Sequence, residues 1–385
     1  MDSASNKLDE AVRSEEAAKA VSGLEAKYAS HRRSQKLEDG TLRGIRVVVY
    51  RGWVAQGVAR VHTRVIETPK LPEGGSRIPY WDVLNANLRR HVALAFPDTE
   101  VTVHLGEVTG TGITDRHGYA SVQLEVPGLA PGWHEVQVTT SGDHDDSTEF
   151  TGTGRVLCPS PKAKFLVVSD LDDTVIRTGL DEGMVALRRT LFRDAHTRRA
   201  VPGMASLYRG LQRGVASKRG TTPPEPAFFY LSTGSWAFYE MLTQFLQLRG
   251  YPRGPLFLTD WGPSDRYITR SGEEHKKLAL ARLREAYPDT RLVLIGDSGQ
   301  KDPEIYLDFA RANPGAVAEI VIMRASDASA ERTEELREQA VDFREEGIPF
   351  HVADDAMEAA EALHGAHLCD DMTMEEVETE MGAVF

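Results

Sequence analysis

The chain has 385 residues, 41% of them hydrophobic, and a net charge of -13 with only two cysteines. That length allows two domains with cores that need no covalent staples. The acidic balance argues against a general nucleic-acid binder, which concentrates positive charge to neutralise phosphates. Cys158 and Cys369 are far apart and lack metal-ligand spacing, so neither a disulfide framework nor a zinc site is expected, and a reducing compartment is the simplest reading. The N-terminus lacks an apolar signal core, and no run approaches the roughly 18 apolar residues of a membrane span. The expectation is a cytoplasmic protein.

Residues 1–44 are polar and rich in Ala, Glu, Lys and Arg, and read as a helical arm without visible chemistry. Residues 45–157 change to short alternating runs broken by Gly and Pro, such as Val101-Thr-Val-His-Leu105 and Ala120-Ser-Val-Gln-Leu-Glu-Val126. Strands at that spacing predict a small antiparallel β-sandwich of immunoglobulin- or transthyretin-like type. Residues 80–95 interrupt it with a helical pattern.

From 158 to 355 the pattern becomes strand then helix, repeated. Apolar strands are expected at 165–169, 227–231, 255–258, 291–295 and 318–323, with helices at 203–215, 236–249 and 275–286. This alternation predicts an α/β domain with a parallel sheet covered on both faces, whose ligands bind at the carboxyl ends of the strands. Residues 356–385 read as a helix and an acidic tail, most simply a solvated and poorly ordered end.

Four polar signals fall at those strand ends or on the intervening helices. Asp170-Leu-Asp172-Asp-Thr174 follows Phe165-Leu-Val-Val168, and Asp297 follows Arg291-Leu-Val-Leu-Ile295. An acidic loop on the surface has no reason to cap a buried strand, whereas a metal-dependent phosphoryl-transfer site needs carboxylates there. A calcium loop is discounted because the D-x-[DN]-x-[DN]-G pattern with its closing Glu is missing. Ser232 ends the apolar strand Ala227-Phe-Phe-Tyr-Leu231, where a hydroxyl and nearby amides can donate to phosphate oxygens. Ser235 reads better as a helix N-cap. Of the neighbouring Lys276 and Lys277, residue type alone hardly chooses the cation. The aromatics Trp236-Ala-Phe-Tyr239 read as core residues of a helix packed on a sheet.

In this order the signals resemble the haloacid dehalogenase superfamily of phosphohydrolases. More narrowly, residues from about 45 to 325 resemble the phosphatidate phosphatase family first known from a yeast actin-patch protein. The matching stretches are Ser169-Asp-Leu-Asp-Asp-Thr-Val-Ile-Arg-Thr-Gly179, Val201-Pro-Gly-Met-Ala-Ser-Leu-Tyr208, Phe229-Tyr-Leu-Ser-Thr-Gly-Ser-Trp236, His275-Lys276 and Leu294-Ile-Gly-Asp-Ser-Gly-Gln-Lys-Asp-Pro-Glu-Ile-Tyr306. The chain departs from the family where a Ser-rich segment ending in Pro is expected before the Trp: here it is Thr233-Gly234-Ser235-Trp236.

The resemblance implies a Rossmann-like catalytic domain and a two-step mechanism. Asp170 attacks phosphorus to form an aspartyl-phosphate, and Asp172 acts as general acid and then base. Mg2+ is held by Asp170, the backbone carbonyl of Asp172, and Asp297, with Asp302 supporting that shell through Lys276 or water. Ser232 and Lys276 hold the phosphoryl oxygens, and Arg177, Thr233 and Gly234 contact substrate. The implied substrate is phosphatidate, met as an anionic lipid at a membrane surface, with the enzyme cytoplasmic and peripheral there. Between Thr178 and Val201, Val185, Leu187, Leu191 and Phe192 alternate at helical spacing with Arg188, Arg189 and Arg193. That segment reads either as a face for anionic headgroups or as a short helix packed on the domain. Two other functions use the same fold: a phosphatase of a soluble small phosphoester, and a non-enzymatic lipid-binding scaffold.

Overall fold

The computed structural model describes residues 39, 44–68, 94–142, 145–171, 174, 201–215, 225–259, 272–325 and 328–383. The predicted N-terminal arm, most of the predicted helix at 80–95 and the basic segment after Thr178 lie outside the described residues. Among those described, no helix is long and apolar enough to cross a membrane.

The first half is an eight-stranded sheet of β1 (Ile45–Val49), β2 (Gly52–Ala55), β3 (Val58–Glu67), β4 (Glu100–Leu105), β5 (Val108–Ile113), β6 (Tyr119–Glu125), β7 (Gly132–Gly142) and β8 (Asp145–Cys158). In β4 and β6 every second residue is buried, as the two-residue period of a half-covered strand requires. The β2–β3 hairpin turns through Gln56 and Gly57, both at positive φ, the backbone of a tight two-residue turn. The strand order is β1-β3-β2-β8-β7-β4-β5, with β6 paired to β3. The sheet is mixed, because β2 runs parallel to β8 while its other pairs are antiparallel. It curls until β5 lies against β6. A Cβ on Gly110 would stand 2.5 Å from Leu124, and one on Gly112 2.8 Å from Val122, so only glycine permits that approach. A valine-rich core, including Val61, Val101, Val103, Val136, Val138 and Val156, fills the interior.

The second half is a six-stranded sheet of β9 (Phe165–Asp170), β10 (Phe228–Ser235), β11 (Leu256–Thr259), β12 (Arg291–Asp297), β13 (Val317–Met323) and β14 (Phe350–Ala353). Its helices are α1 (Met204–Arg213), α2 (Tyr239–Leu248), α3 (Gly272–Ala286), α4 (Asp302–Ala312), α5 (Ala330–Glu345), α6 (Ala356–Gly365) and α7 (Asp371–Gly382). All five strand pairs are parallel, in the order β11-β10-β9-β12-β13-β14. Alternate residues serve opposite faces. Val167, Tyr230, Val293 and Val321 pack with α1, α2, α6 and α7. Leu166, Phe229, Leu294 and Ile322 pack with α3, α4 and α5. The continuous apolar runs of the sequence are thus strands covered on both sides.

Three features differ from the expectation. The first sheet, expected to be antiparallel, is mixed through the parallel β2–β8 pair. Strand β14 was not foreseen, because Phe-His-Val-Ala is too short and mixed to signal a strand on its own. The acidic C-terminal residues, expected as a solvated end, instead form α7. Asp370 caps it by accepting from the Thr373 N–H at 3.0 Å, Glu376 pairs with Arg213 at 3.0 Å, and Glu380 accepts from the Ser206 N–H at 2.9 Å. Cationic and hydroxyl partners on α1 therefore order a segment that its own charge would leave in solvent.

The two sheets share side chains. Trp53, Ala55 and Leu157 pack in the same cluster as Leu166, Phe229 and Phe257, and Tyr50 belongs to the cluster on the other face. The Tyr287 hydroxyl donates to the Val54 carbonyl at 2.8 Å, the Arg51 N–H donates to the Tyr239 hydroxyl at 2.8 Å, and Arg46 pairs with Glu240.

Candidate active site

In the parallel sheet the chain leaves β9 toward β10 on one side and later returns at β12 on the other. Strand order reverses between β9 and β12, which opens a crevice beyond their carboxyl ends. The last residues of these two strands are Asp170 and Asp297, both fully buried. Pairing of Ile295 with Ser169 keeps the two ends level. Asp302, the first residue of α4, is buried beside them, and donor oxygens of Asp170, Asp297 and Asp302 lie within 4.8 Å of one another.

Lys276 enters from α3. The residues Lys276, Ala279, Leu280, Leu283 and Ala286 form the buried stripe of that helix, at the spacing that turns one face to a sheet. Lys276 occupies the stripe's end and places Nζ 2.7 Å from Asp170 Oδ1 and 2.5 Å from Asp302 Oδ1. Burial alone would lower the pKa of this ammonium, but Asp170, Asp302 and Asp297 raise it above its ordinary value, so it is a fixed cation. Lys277 faces outward and pairs with Glu273 at 2.8 Å and Asp308 at 3.3 Å.

The loop after β12 wraps Asp297. Its Oδ1 accepts from the N–H groups of Gly299 at 2.7 Å and Gln300 at 3.0 Å, which fixes the carboxylate's orientation. At the end of β10, buried Ser232 accepts from the Gly234 N–H at 3.0 Å, and the strand pairing slips between Leu231 and Ser235. Thr259 Oγ1 donates to the Thr233 carbonyl at 2.7 Å and so ties this turn to β11. Since Leu231 pairs with Asp170, Ser232 follows immediately beyond the carboxylate's level.

Three buried carboxylates against one ammonium leave the described groups two charges negative. An all-oxygen donor set with that surplus fits a divalent hard cation. A phosphate group would gain from the same ammonium and from the Ser232 turn.

The structure therefore brings Asp170, Lys276, Asp297 and Asp302 together, with Ser232, Thr233 and Gly234 on the adjoining turn. Asp172 and Arg177 lie outside the described residues. Thr259 was missed by sequence reasoning. Its only signal is that it closes β11 as Ser232 closes the apolar part of β10. The choice between Lys276 and Lys277 was readable after all, since only Lys276 continues the apolar stripe of α3.

Residues 165–324 match the family described as phosphatidate phosphatase APP1, catalytic domain. Phosphatidate phosphatase APP1 of Saccharomyces cerevisiae is 25% identical over 256 residues, covering 64% of this chain and 41% of that protein. An uncharacterised protein of Schizosaccharomyces pombe is 23% identical over 157 residues, 40% of this chain and 24% of its own length. The chain thus spans less than half the length of these curated relatives. Among solved structures, a carbohydrate acetylesterase from Xanthomonas citri overlaps 88% of this chain and 72% of its own at 10% identity, but a TM-score of 0.23 carries no argument.

Proposed function

We propose, from the match of residues 165–324 to the family described as the phosphatidate phosphatase APP1 catalytic domain, that this protein hydrolyses a phosphomonoester, with phosphatidate as substrate and diacylglycerol as product. The observation that carries the reading is the buried Asp170–Lys276–Asp302 group beside Asp297 where strand order reverses. The parallel order and two-sided helical cover support a haloacid dehalogenase-type catalytic domain. The curled sheet ahead of it supports the β-sandwich reading.

Asp170 is the nucleophile. Its carboxylate attacks phosphorus, the bond from phosphorus to the ester oxygen breaks, and Asp172 gives its proton to the departing alkoxide. In the second step Asp172 takes a proton from water as that water attacks the aspartyl-phosphate, releasing phosphate and restoring Asp170. Lys276 and Ser232 hold the phosphoryl oxygens, and Arg177, Thr233 and Gly234 position the substrate. Asp170, Asp297 and the backbone carbonyl of Asp172 would hold Mg2+, and Asp302 orients Lys276 beside them. When bound, the ion neutralises charge on the transferring group. The lipid substrate places the working enzyme at a membrane surface from the cytoplasmic side.

The deciding experiment measures phosphate release with Mg2+ or with chelator, from wild type and Asp170→Asn, on short-chain phosphatidate and on soluble sugar, nucleotide and glycerol phosphates. We expect release from phosphatidate, dependent on Mg2+, and a loss of about three orders of magnitude or more in the variant. Activity retained by Asp170→Asn would overturn the mechanism. Preference for a soluble ester would keep the mechanism and replace the substrate. Absence of any release would favour the binding scaffold.

A further inference from the structure

A second cationic feature lies outside the carboxylate group. Arg51 follows β1, Arg155 lies on β8, and Arg253 precedes β11, so they come from three distant segments and from both sheets. They line one cleft of about 390 Å³ between the sheets, with Tyr239 and Gln247 of α2 completing its wall. Arg51 is half-buried and Arg155 and Arg253 are exposed. The Nη1 of Arg51 reaches the Gly254 carbonyl at 3.4 Å. Among the described residues none of the three has a carboxylate within ion-pair distance, although Glu135 sits across the strand from Arg155 and also lines the cleft.

What sets these three apart is their convergence on one cleft from separate segments, since arginines such as Arg60, Arg282 and Arg291 also have no carboxylate within ion-pair distance among the described residues. The chain carries 58 acidic against 45 basic residues, so carboxylate partners are abundant. Arg46, Arg213, Arg311, Arg332 and Arg337 each hold one. In the cleft three arginines instead line one space with a single Glu. Burial lowers the pKa of Arg51, the Tyr239 and Tyr230 hydroxyls oppose that shift, and the like charges of Arg253 and Arg155 add to it. Holding such groups together costs free energy that an anion would recover, and guanidinium forks match phosphate oxygens in pairs.

We propose that this cleft is a second anion site, built to take a phosphate group and distinct from the carboxylate site. The Gln247 amide and Thr153 hydroxyl add neutral donors at its wall. Gly254 backs onto the Phe228 carbonyl, and Phe228 pairs with Val167, three residues before Asp170. The cleft is therefore displaced by roughly 10 Å along the strands from the catalytic end, at about 3.3 Å per residue. A phosphate group there bridges the two sheets, because Arg155 belongs to one and Arg253 to the other. This inference does not depend on the catalytic reading.

The test titrates the full chain with inorganic phosphate by calorimetry in divalent-free buffer, where the carboxylate group repels anions. Wild type is compared with the double variant Arg155→Gln/Arg253→Gln, and with Arg291→Gln/Arg324→Gln, which removes the same charge elsewhere. Both replaced cleft residues are exposed, and circular dichroism checks the fold. We expect one phosphate site in wild type, weakened at least about tenfold in the cleft variant and unchanged in the control. No phosphate binding by wild type, equal binding in all three proteins, or equal loss in both variants would overturn the proposal. Flotation with phosphatidylcholine vesicles, with and without phosphatidate, identifies the source of the group. Joint loss of phosphate and phosphatidate-vesicle binding in the cleft variant assigns a lipid headgroup. Loss of phosphate binding with vesicle binding unchanged assigns a free anion.

Discussion

Asp302 serves two neighbours: Oδ1 meets the Lys276 ammonium at 2.5 Å, and Oδ2 accepts from the Asp297 N–H at 3.3 Å. Gly296 makes room for it. A Cβ there would stand 2.6 Å from Asp302 Oδ2 and 2.8 Å from the Tyr306 ring, both fixed in the buried interior. Gly296→Ala should therefore cost about 1–3 kcal/mol of stability and lower turnover as Asp302 is pushed off Lys276. Urea unfolding and phosphate release measure the two effects, and a variant unchanged in both would mean that this packing has no role. At this scale the sequence was informative wherever a polar residue ended an apolar run, as with Asp170, Ser232 and Asp297. It was silent where a contact joins separate elements: nothing near Thr259 reveals that its hydroxyl holds the Thr233 carbonyl.

Strand β13 carries a carboxyl group in its buried stretch. Glu319 is 3% exposed, and burial raises its pKa from the ordinary 4.5 to about 7. His351 Nε2 lies 3.4 Å away, but burial pushes that imidazole toward neutrality, so it gives no compensating charge at neutral pH. Below about pH 4.5 Glu319 is protonated in both states and costs nothing. Between there and about pH 7 the unfolded chain releases a proton that the folded one keeps, so stability falls as pH rises. The full penalty, about 3 kcal/mol, applies above that window. Glu319→Gln should flatten the pH dependence and gain stability most at pH 8. Chemical unfolding from pH 5 to 8 checks this, and parallel curves for the two proteins would refute it. The elements read correctly from sequence were those that bury continuous apolar runs, β9 to β13 above all. Helix α7 was misread because its order comes from Arg213 and Ser206, more than 150 residues away, and no local pattern encodes such partners.

Across the whole molecule, the curled sheet reaches the carboxyl end of the parallel one, where the buried carboxylates lie. The Tyr50 ring lies 4.5 Å from Trp236 and 4.8 Å from Tyr239, directly after the Ser232 turn. Tyr50→Ala should lower kcat/KM by about tenfold or more, since small displacements of a positioned group are costly, while the circular dichroism spectrum stays native. Unaltered kinetics would show that the turn holds its shape unaided. The alternation of strands and helices foretold the parallel sheet, and a separate mixed sheet precedes it, but no local pattern shows that the two interlock. Trp53 and Leu157 lie among the residues beneath the parallel sheet, while Tyr50 lies above it. The consequence concerns cooperativity. Two units that complete one another's interiors melt together, so calorimetry of the intact chain should show a single endotherm whose calorimetric and van't Hoff enthalpies agree. The matched segment 165–324 is then a unit of recognition and not of folding, and expressed alone it should aggregate for want of the tryptophan, tyrosine and terminal helices that seal it.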